Sequence, residues 1–435
     1  MPFRIWNSLE SGPNFCIGDY ASANGYSMSS DFPKGRTAFL VIHGIGEQNP
    51  FETLDAFAQG LIRIFKTQGI NVKAKHSLAE RKAASGSGWV ESCVRLSSSD
   101  TDGYIDVHEY YWAYMTEAQI TVSEVMQWLK KTLHGAKASF REYKVQFGLS
   151  KKGWRNYWWR LNSMIWRLRV FYWIVRLFMF VINLLSYIVP WAKWIKVGAE
   201  KVGKFATPVI VGYVGDIAIY TTTDQKSKHY RLRQQIIAEA SALLESLLLE
   251  KNGTVEKYDR VIIAGHSLGS VIAYDTLNRL NVMLSLAKSK RLPTKKVKGL
   301  ITFGSPLDKI VFFFREHVGE DQYIRRQIVD QLHSFRSQWI KLVQAKRYEV
   351  ELENPIKDRF SGLPWVNFFD NHDPISGKLE FYTVNENIPL TLPDTWPDQQ
   401  GISTRARWGV AHVKYWNDPR FFNDIVERFL VLHQH

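Results

Sequence analysis

Apolar runs alternate with segments of helical periodicity along most of the chain. The first run, residues 37–42, is continuously apolar, which is typical of a strand buried on both faces of a parallel sheet. Residues 51–66 then carry apolar side chains at helical spacing, and further strand-like runs lie at 89–96 and 104–112. The first part of the chain therefore predicts a strand, a glycine-containing loop, a helix and two more strands.

The same alternation returns beyond residue 205. The pattern predicts helices at 230–249, from about 270, and at 321–346, and strands at 260–264, 299–303 and 365–369. Strands that alternate with helices are typical of parallel sheets. We expect an α/β protein whose mostly parallel sheet carries helices on both faces.

A candidate nucleophile stands between one of these strands and the helix that follows it. Residues 265–269 read Gly-His-Ser-Leu-Gly, the pattern G-x-S-x-G. In so tight a strand-to-helix turn the serine takes a strained backbone conformation, and Gly265 and Gly269 avoid side-chain clashes. The hydroxyl of Ser267 would then lie at the carboxyl end of the sheet, above a helix N-terminus that favours developing negative charge. The alternative is a serine in an ordinary glycine-rich turn.

A serine hydroxyl needs a base within hydrogen-bonding distance before it can act as a nucleophile. His412 lies far downstream, before the last predicted helix, where the chain order Ser, Asp, His places the base. His372 is the second candidate for the base. His266, inside the turn itself, is expected to pack beside the nucleophile.

The acid that orients the base should follow a late strand. Asp373 is our first choice, because the proline after it fixes a turn next to the carboxylate. Asp370, three residues earlier, is the alternative acid. Asp308, which follows the preceding strand, ranks third.

An oxyanion requires two backbone N–H donors. One should belong to Leu268, directly after the nucleophile, and the other to the loop after the first strand. That loop reads His-Gly-Ile-Gly at 43–46, so Ile45 or Gly44 would donate, with Gly46 as the second loop glycine.

Several of these motifs carry a family resemblance. Residues 302–306 (Thr-Phe-Gly-Ser-Pro), the segment from Asn367 to Asp373-Pro, and His412 resemble the late motifs of the class 3 triacylglycerol lipases. Residues 43–48 (His-Gly-Ile-Gly-Glu-Gln), with Glu-Tyr-Tyr-Trp at 109–112, are similar to a group of bacterial hydrolases.

The resemblance covers roughly residues 37–112 and 205–435 and implies the lipase and esterase branch of the α/β-hydrolase superfamily. It implies Ser267, Asp373 and His412 as a catalytic triad. The amides of Ile45 and Leu268 are implied as the oxyanion donors.

The chain departs from that family in a long insertion. Residues 1–113 and 205–435 are expected to form two parts of one core, separated by a helical, basic and aromatic insertion at 114–204. Within it, residues 170–191 are apolar over a length that could cross a bilayer, although an arginine at position 176 is costly at depth. Three interpretations stay open: a membrane-inserted segment, an interfacial helical hairpin that also acts as a lid, or a helix packed on the protein itself.

Seven tryptophans surround this apolar centre: Trp154, Trp158, Trp159, Trp166, Trp173, Trp191 and Trp194. Tryptophan and basic residues at both ends of an apolar segment are typical of membrane-interface anchoring. The formal net charge of +14 would suit nucleic acid, an acidic partner or an anionic membrane. The apolar centre argues against nucleic acid and favours lipid headgroups.

Other classes of function find little support. The two cysteines fit neither a zinc site nor a disulfide framework, and no phosphate-binding glycine loop occurs, so we expect no metal and no cofactor. The first residues lack the apolar core of a signal peptide, which predicts a membrane-associated protein on the cytoplasmic side, or alternatively a soluble cytoplasmic one.

Together these features predict a serine hydrolase that cleaves a lipid ester, either phospholipid or acylglycerol, through an acyl-enzyme on Ser267. Two alternatives stay open: a soluble carboxylesterase or thioesterase, and a non-catalytic membrane-associated scaffold.

Overall fold

Within the described residues, the computed structural model contains ten strands. They are β1 (Arg36–Ile42), β2 (Lys73–Lys82), β3 (Gly88–Ser97), β4 (Tyr104–Tyr110), β5 (Lys251–Asn252), β6 (Val255–Glu256), β7 (Arg260–His266), β8 (Val297–Phe303), β9 (Trp365–Phe369) and β10 (Glu386–Pro389). The structure describes residues 31–45, 49–82, 88–116, 228–286, 292–313, 322–338, 356–373, 375–390 and 412–431, with isolated positions between 124 and 220.

Seven α-helices accompany these strands within the described residues. They are α1 (Glu52–Thr67), α2 (Ala113–Thr116), α3 (Lys228–Leu249), α4 (Leu268–Leu286), α5 (Leu307–Phe313), α6 (Tyr323–Leu332) and α7 (Pro419–Ile425). The last continues as a π-helical segment, Val426–Val431, and short 3₁₀ turns lie at Thr294–Lys296 and Lys414–Asn417.

Eight strands form one sheet, in the order β10-β9-β8-β7-β1-β4-β3-β2. From β10 to β4 every pairing is parallel, whereas β3 pairs antiparallel with both β4 and β2. The predicted α/β class and mostly parallel sheet are therefore confirmed. The segments on either side of the insertion meet in this sheet, because β1 lies between β4 and β7.

Side chains of β1 alternate between two apolar cores. Leu40 and Ile42 face one side, where they cluster with residues of α3 and α4, including Leu244 and Leu277. Phe39 and Val41 face the other side, among residues of α1 and α7. A parallel strand covered by helices on both faces has no solvated side, so its sequence is apolar throughout.

Contact between α1 and α7 depends on one glycine. A Cβ atom at Gly60 would lie 2.1 Å from the ring of Phe422, so only glycine allows the two helices to approach this closely. The last helix is thereby held against the helix that follows the first loop.

The predicted helix at 321–346 is wrong over residues 333–337, and residues 339–346 lie outside the described residues. Helix α6 ends at Leu332, and the backbone then turns inward so that Phe335 is buried. The hydroxyl of Tyr274 donates to the carbonyls of His333 and Phe335, and Asn278 accepts from the Phe335 N–H. These tertiary hydrogen bonds replace those of a continued helix.

Most of the predicted insertion lies outside the described residues. Its described positions between 159 and 181 are helical. Within the part of the chain that the structure describes, no helix has both the length and the apolar character needed to cross a membrane.

A buried polar network joins β3 and β4 to the segment before β7. His108 contacts the Glu91 carboxylate through Nδ1 (2.7 Å) and the Tyr258 hydroxyl through Nε2 (2.9 Å). Tyr258 donates to Asp106 (2.8 Å), whose two oxygens also accept from Arg95, each at 2.7 Å. The Asp106 side chain is fully buried, so its charge depends on these partners.

Replacing Arg95 with alanine should lower the free energy of unfolding by about 3 kcal/mol, because it leaves a buried carboxylate without its cation. Urea denaturation measures the change. Arg36→Ala is the matched control: it breaks an ion pair with Asp259 whose side chains are 29% and 43% exposed, and should cost at most about 1 kcal/mol. Equal losses in the two variants would contradict the dependence on burial.

Candidate active site

The turn between β7 and α4 has the geometry expected of a nucleophile elbow. Ser267 has a φ of 51°, the left-handed region that non-glycine residues rarely adopt. A Cβ atom at Gly265 would lie 2.5 Å from the Gly269 carbonyl oxygen, and one at Gly269 would lie 2.2 Å from that of Ile42. Both flanking positions therefore require glycine, as the sequence indicates.

Three side chains meet at this turn. His412 Nε2 lies 2.9 Å from Ser267 Oγ, and its Nδ1 lies 2.8 Å from Asp373 Oδ2. All three residues are buried, with exposures of 1% for Ser267, 3% for Asp373 and 9% for His412. The arrangement can move a proton from a hydroxyl to an imidazole while a carboxylate holds the opposite ring nitrogen.

The two candidate acids in the loop after β9, Asp373 and Asp370, have different hydrogen-bond partners. Burial alone would raise the pKa of Asp373, but hydrogen bonds from His412 and from the amides of Ile375 and Ser376 outweigh it and lower the pKa. The carboxylate of Asp370 instead accepts from the N–H of His372 at 2.7 Å. The alternative acid and the second candidate base thus contact each other, and the structure brings Asp373 and His412 to the serine.

Asp308, the third candidate acid, has a different environment. Its carboxylate accepts from the backbone N–H groups of Glu380 and Phe381. Burial raises its pKa to about 7 despite these bonds. It anchors the segment between β9 and β10.

The glycine loop after β1 packs directly on the elbow. A Cβ atom at Gly44 would lie 2.6 Å from the Ser267 Cβ, so the backbone there passes within contact distance of the nucleophile. Ile45 and Leu268, the predicted oxyanion donors, are 7% and 1% exposed. Leu268 is the first residue of α4, and first-turn amides of a helix have no intrahelical acceptor. Gly46 lies outside the described residues.

A histidine–tryptophan pair, which the sequence did not predict, fixes this loop. His43 Nε2 accepts from the Trp112 N–H, and the indole N–H donates to the His43 carbonyl, both at 3.0 Å. His43 Nδ1, which must then carry the proton, donates to the Gly44 carbonyl at 2.8 Å. The two rings are stacked.

A second buried histidine, His266, packs against His412. The ring of His266 lies 4.9 Å from that of His412, centre to centre, and its Nε2 donates to the His412 carbonyl at 2.9 Å. Burial is the main cause that lowers the pKa of His266 to about 3, so this ring stays neutral near pH 7. The ring therefore packs on His412, next to the elbow, and its Nε2 is occupied by the backbone.

Among the described residues, one group has the composition and spacing of a metal site: Cys93, Asp106 and His108. Its polar atoms already have protein partners. Asp106 binds Arg95 and Tyr258, and both nitrogens of His108 are in contact, as described above. Cys93 Sγ lies 2.9 Å from the hydroxyl of Ser77. These side chains fit the polar network better than a cation.

No family model, curated protein or solved structure matches the chain. The geometry of the site is therefore the basis for assigning a function.

The two buried histidines predict a pH effect. Burial chiefly lowers the pKa of His43 to about 4 and that of His266 to about 3, so protonation favours the unfolded chain, where a histidine titrates near 6.5. The stability that depends on their neutral form is complete above pH 6.5 and declines below it. The destabilisation caused by His266→Gln should therefore be about 2 kcal/mol smaller at pH 5 than at pH 7.

The pH dependence of wild-type stability does not isolate this effect. Burial raises the pKa values of Glu109 and Asp308 to about 7, and these two groups lose stability as the pH rises. The stabilities of wild type and variant are therefore compared at each pH. Urea denaturation of wild type and His266→Gln at both pH values measures the effect. Replacing His76, an exposed histidine on β2, gives the control. An equal destabilisation by His266→Gln at pH 5 and pH 7 would contradict the prediction.

Proposed function

We propose that this protein is a serine ester hydrolase of the α/β-hydrolase type, with Ser267 as nucleophile. One observation carries the proposal: the hydrogen-bonded series Ser267, His412 and Asp373 at a strained strand-to-helix turn. Ser267 directly follows β7, Asp373 lies four residues beyond β9, and His412 lies beyond β10 in the chain. Such a set is recognised by its geometry and its chain order.

In the proposed reaction, Ser267 Oγ attacks the ester carbonyl carbon while His412 Nε2 takes the hydroxyl proton. The carbonyl oxygen becomes an oxyanion, which the amides of Leu268 and Ile45, or Gly44, stabilise. His412 then gives its proton to the leaving alkoxide, and the C–O bond breaks to leave an acyl-enzyme. Water, deprotonated by the same imidazole, releases the acid and restores the serine.

Asp373 has an electrostatic part in this scheme. Its carboxylate holds Nδ1–H of His412, so the free electron pair of the ring is on Nε2, which faces the serine. Because the lowered pKa of Asp373 keeps it ionised, it also stabilises the imidazolium that forms during attack.

A lipid ester is the substrate class we propose, because the described helical positions of the insertion expose large aromatic and apolar side chains. Trp159, Trp166 and Trp173 follow at intervals of seven residues and are 70%, 66% and 61% exposed, and Leu177 and Phe180 are each 62% exposed. Two arginines at described helical positions, Arg167 and Arg176, are also exposed. Aromatic side chains beside basic ones suit a helix that lies in the headgroup region of a bilayer.

The charge of the protein favours the same location. A net charge of +14 attracts an anionic surface such as the cytoplasmic leaflet, and the exposed aromatic and apolar side chains then supply contact with acyl chains. We therefore propose phospholipid or acylglycerol ester, presented at a membrane surface, as the substrate.

Substitution of the nucleophile tests the catalytic proposal. Ser267→Ala should abolish labelling by a fluorophosphonate probe and hydrolysis of a soluble p-nitrophenyl ester. Asp373→Asn should lower kcat by about 1,000-fold or more, because the amide cannot stabilise the imidazolium.

Asp370→Asn is the matched control, since it changes a carboxylate of the same loop that bonds to His372 instead of His412. Its kcat should stay within about tenfold of wild type. Full labelling of Ser267→Ala, or an equal loss in the two aspartate variants, would rule out the proposed triad.

The lipid proposal predicts binding to anionic vesicles. Replacing Trp159, Trp166 and Trp173 together with glutamine should weaken partition into phosphatidylglycerol–phosphatidylcholine vesicles by about 100-fold, roughly 1 kcal/mol for each ring withdrawn from the interface. Vesicle flotation measures the partition, and hydrolysis of the soluble ester should be unaffected.

The control variant replaces three other exposed apolar side chains with glutamine: Leu78, Val255 and Leu286. It should bind vesicles as wild type does. Unchanged binding by the tryptophan variant would contradict the role of the three rings, and failure of wild type to bind vesicles would favour a soluble carboxylesterase or thioesterase. Normal binding without any ester hydrolysis in wild type would favour the non-catalytic scaffold.

A further inference from the structure

A buried phenol lies at the centre of the loop that carries the acid. Tyr415, three residues after His412, is 2% exposed. Its hydroxyl lies 3.2 Å from Asp373 Oδ2, 2.9 Å from the amide nitrogen of Asp370 and 3.0 Å from the hydroxyl of Ser376. One oxygen atom thus joins both ends of the acid loop to the segment that carries the base.

The directions of these hydrogen bonds follow from the donors available. The Asp370 N–H can only donate, so the phenol oxygen accepts there. The ionised Asp373 can only accept, so the single phenol proton points to its Oδ2. The Ser376 hydroxyl then donates to the phenol oxygen. Burial raises the pKa of Tyr415, which keeps its proton in place.

The acceptor is the same carboxylate oxygen that holds the base. Asp373 Oδ2 receives the His412 Nδ1–H at 2.8 Å and the phenol O–H at 3.2 Å, whereas Oδ1 receives the Ile375 N–H at 2.8 Å. The phenol therefore draws electron density from the oxygen that stabilises the imidazolium.

We propose that Tyr415 is a positioning residue that orients the Asp373 carboxylate and limits its pull on the His412 proton. The proposal rests on the triad function given above. Without the phenol proton, Oδ2 would bind the imidazolium more strongly, so the base would stay protonated to higher pH. The carboxylate would also lose one of the hydrogen bonds that fix its plane, which would slow proton transfer.

Among the described residues, two lysines lie close to the loop of this carboxylate: Lys309 donates to the Ser376 carbonyl at 2.8 Å, and Lys414 interacts with the charge of Asp370. His412 and Tyr415 contact the Asp373 carboxylate directly, and His266, which stays neutral, lies behind His412. Asp370 interacts with the phenol through its amide and its charge. A shift in the pH profile after removal of the phenol hydroxyl therefore has one direct source.

Tyr415→Phe isolates the hydroxyl, because the ring packing against Phe303 and Gly304 is retained. We expect kcat for a soluble p-nitrophenyl ester to fall about 5- to 10-fold, with KM unchanged. The acidic limb of kcat/KM, which reports protonation of the base in the free enzyme, should move to higher pH by about half a unit.

Tyr104→Phe is the matched control. It also removes a tyrosine hydroxyl bonded to a backbone carbonyl, that of Lys257, at the opposite end of the sheet. Its rate and pH profile should equal those of wild type. Ser376→Ala provides a second test that keeps the phenol, and should shift the acidic limb in the same direction by a smaller amount, because the phenol becomes a weaker donor.

The outcomes separate this proposal from the one it rests on. If Ser267→Ala is inactive and Tyr415→Phe keeps the wild-type pH profile, the role of Tyr415 is wrong and the triad stands. A loss of rate in Tyr415→Phe with an unmoved acidic limb would mean a structural role and would also overturn the proposal. If Tyr415→Phe does not fold, an unshifted limb in Ser376→Ala would do the same. Full activity in Ser267→Ala would refute the triad itself.

Discussion

Ser267 can keep a left-handed backbone only if its surroundings supply what the strain costs, about 1–3 kcal/mol. The N–H of Ser267 donates to the Phe303 carbonyl on the neighbouring strand, and Ser270 Oγ closes the turn on Gly265. Gly44 and Gly269 let the loop after β1 press on the turn from the other side. Ser267 is therefore held by three segments at once, which sets its position relative to the loop after β1.

Around this turn the charges are arranged so that one carboxylate acts on one imidazole. His266 and His43 lie close to the triad but stay neutral, because burial lowers their pKa values to about 3 and about 4. Each ring donates a hydrogen bond to a backbone carbonyl: His266 to that of His412, and His43 to that of Gly44. Were either charged, it would oppose an imidazolium at His412. Because both rings are neutral, they do not weaken the attraction between Asp373 and His412.

The sheet, Ser267 and Asp373 were accessible from the sequence because their signals are local: apolar runs, a G-x-S-x-G turn and an Asp-Pro pair. His412 was accessible only through the chain order Ser, Asp, His and the family resemblance. Strand β2 was missed, because its sequence, Lys-Ala-Lys-His-Ser-Leu-Ala-Glu-Arg-Lys, shows no buried face and is ordered by pairing with β3. The residues that hold the site in place from a distance were missed for a related reason. Trp112 and Tyr415 act on residues 69 and 42 positions away, which no local pattern encodes.

Strand β4 connects the polar network to the oxyanion loop. Asp106 and His108 fix this strand to β3 and to Tyr258, the residue two positions before β7. Four residues beyond His108, Trp112 holds His43 at both its ring and its carbonyl. Apart from Arg95, whose side chain is 34% exposed, the polar groups of the network are buried, so breaking it leaves an unsatisfied partner, which resists any slip of β4 along β1. A slip of one residue would withdraw Trp112 from His43 and release Gly44 from the serine. The network thus stabilises the fold and also holds the glycine loop in register with the nucleophile.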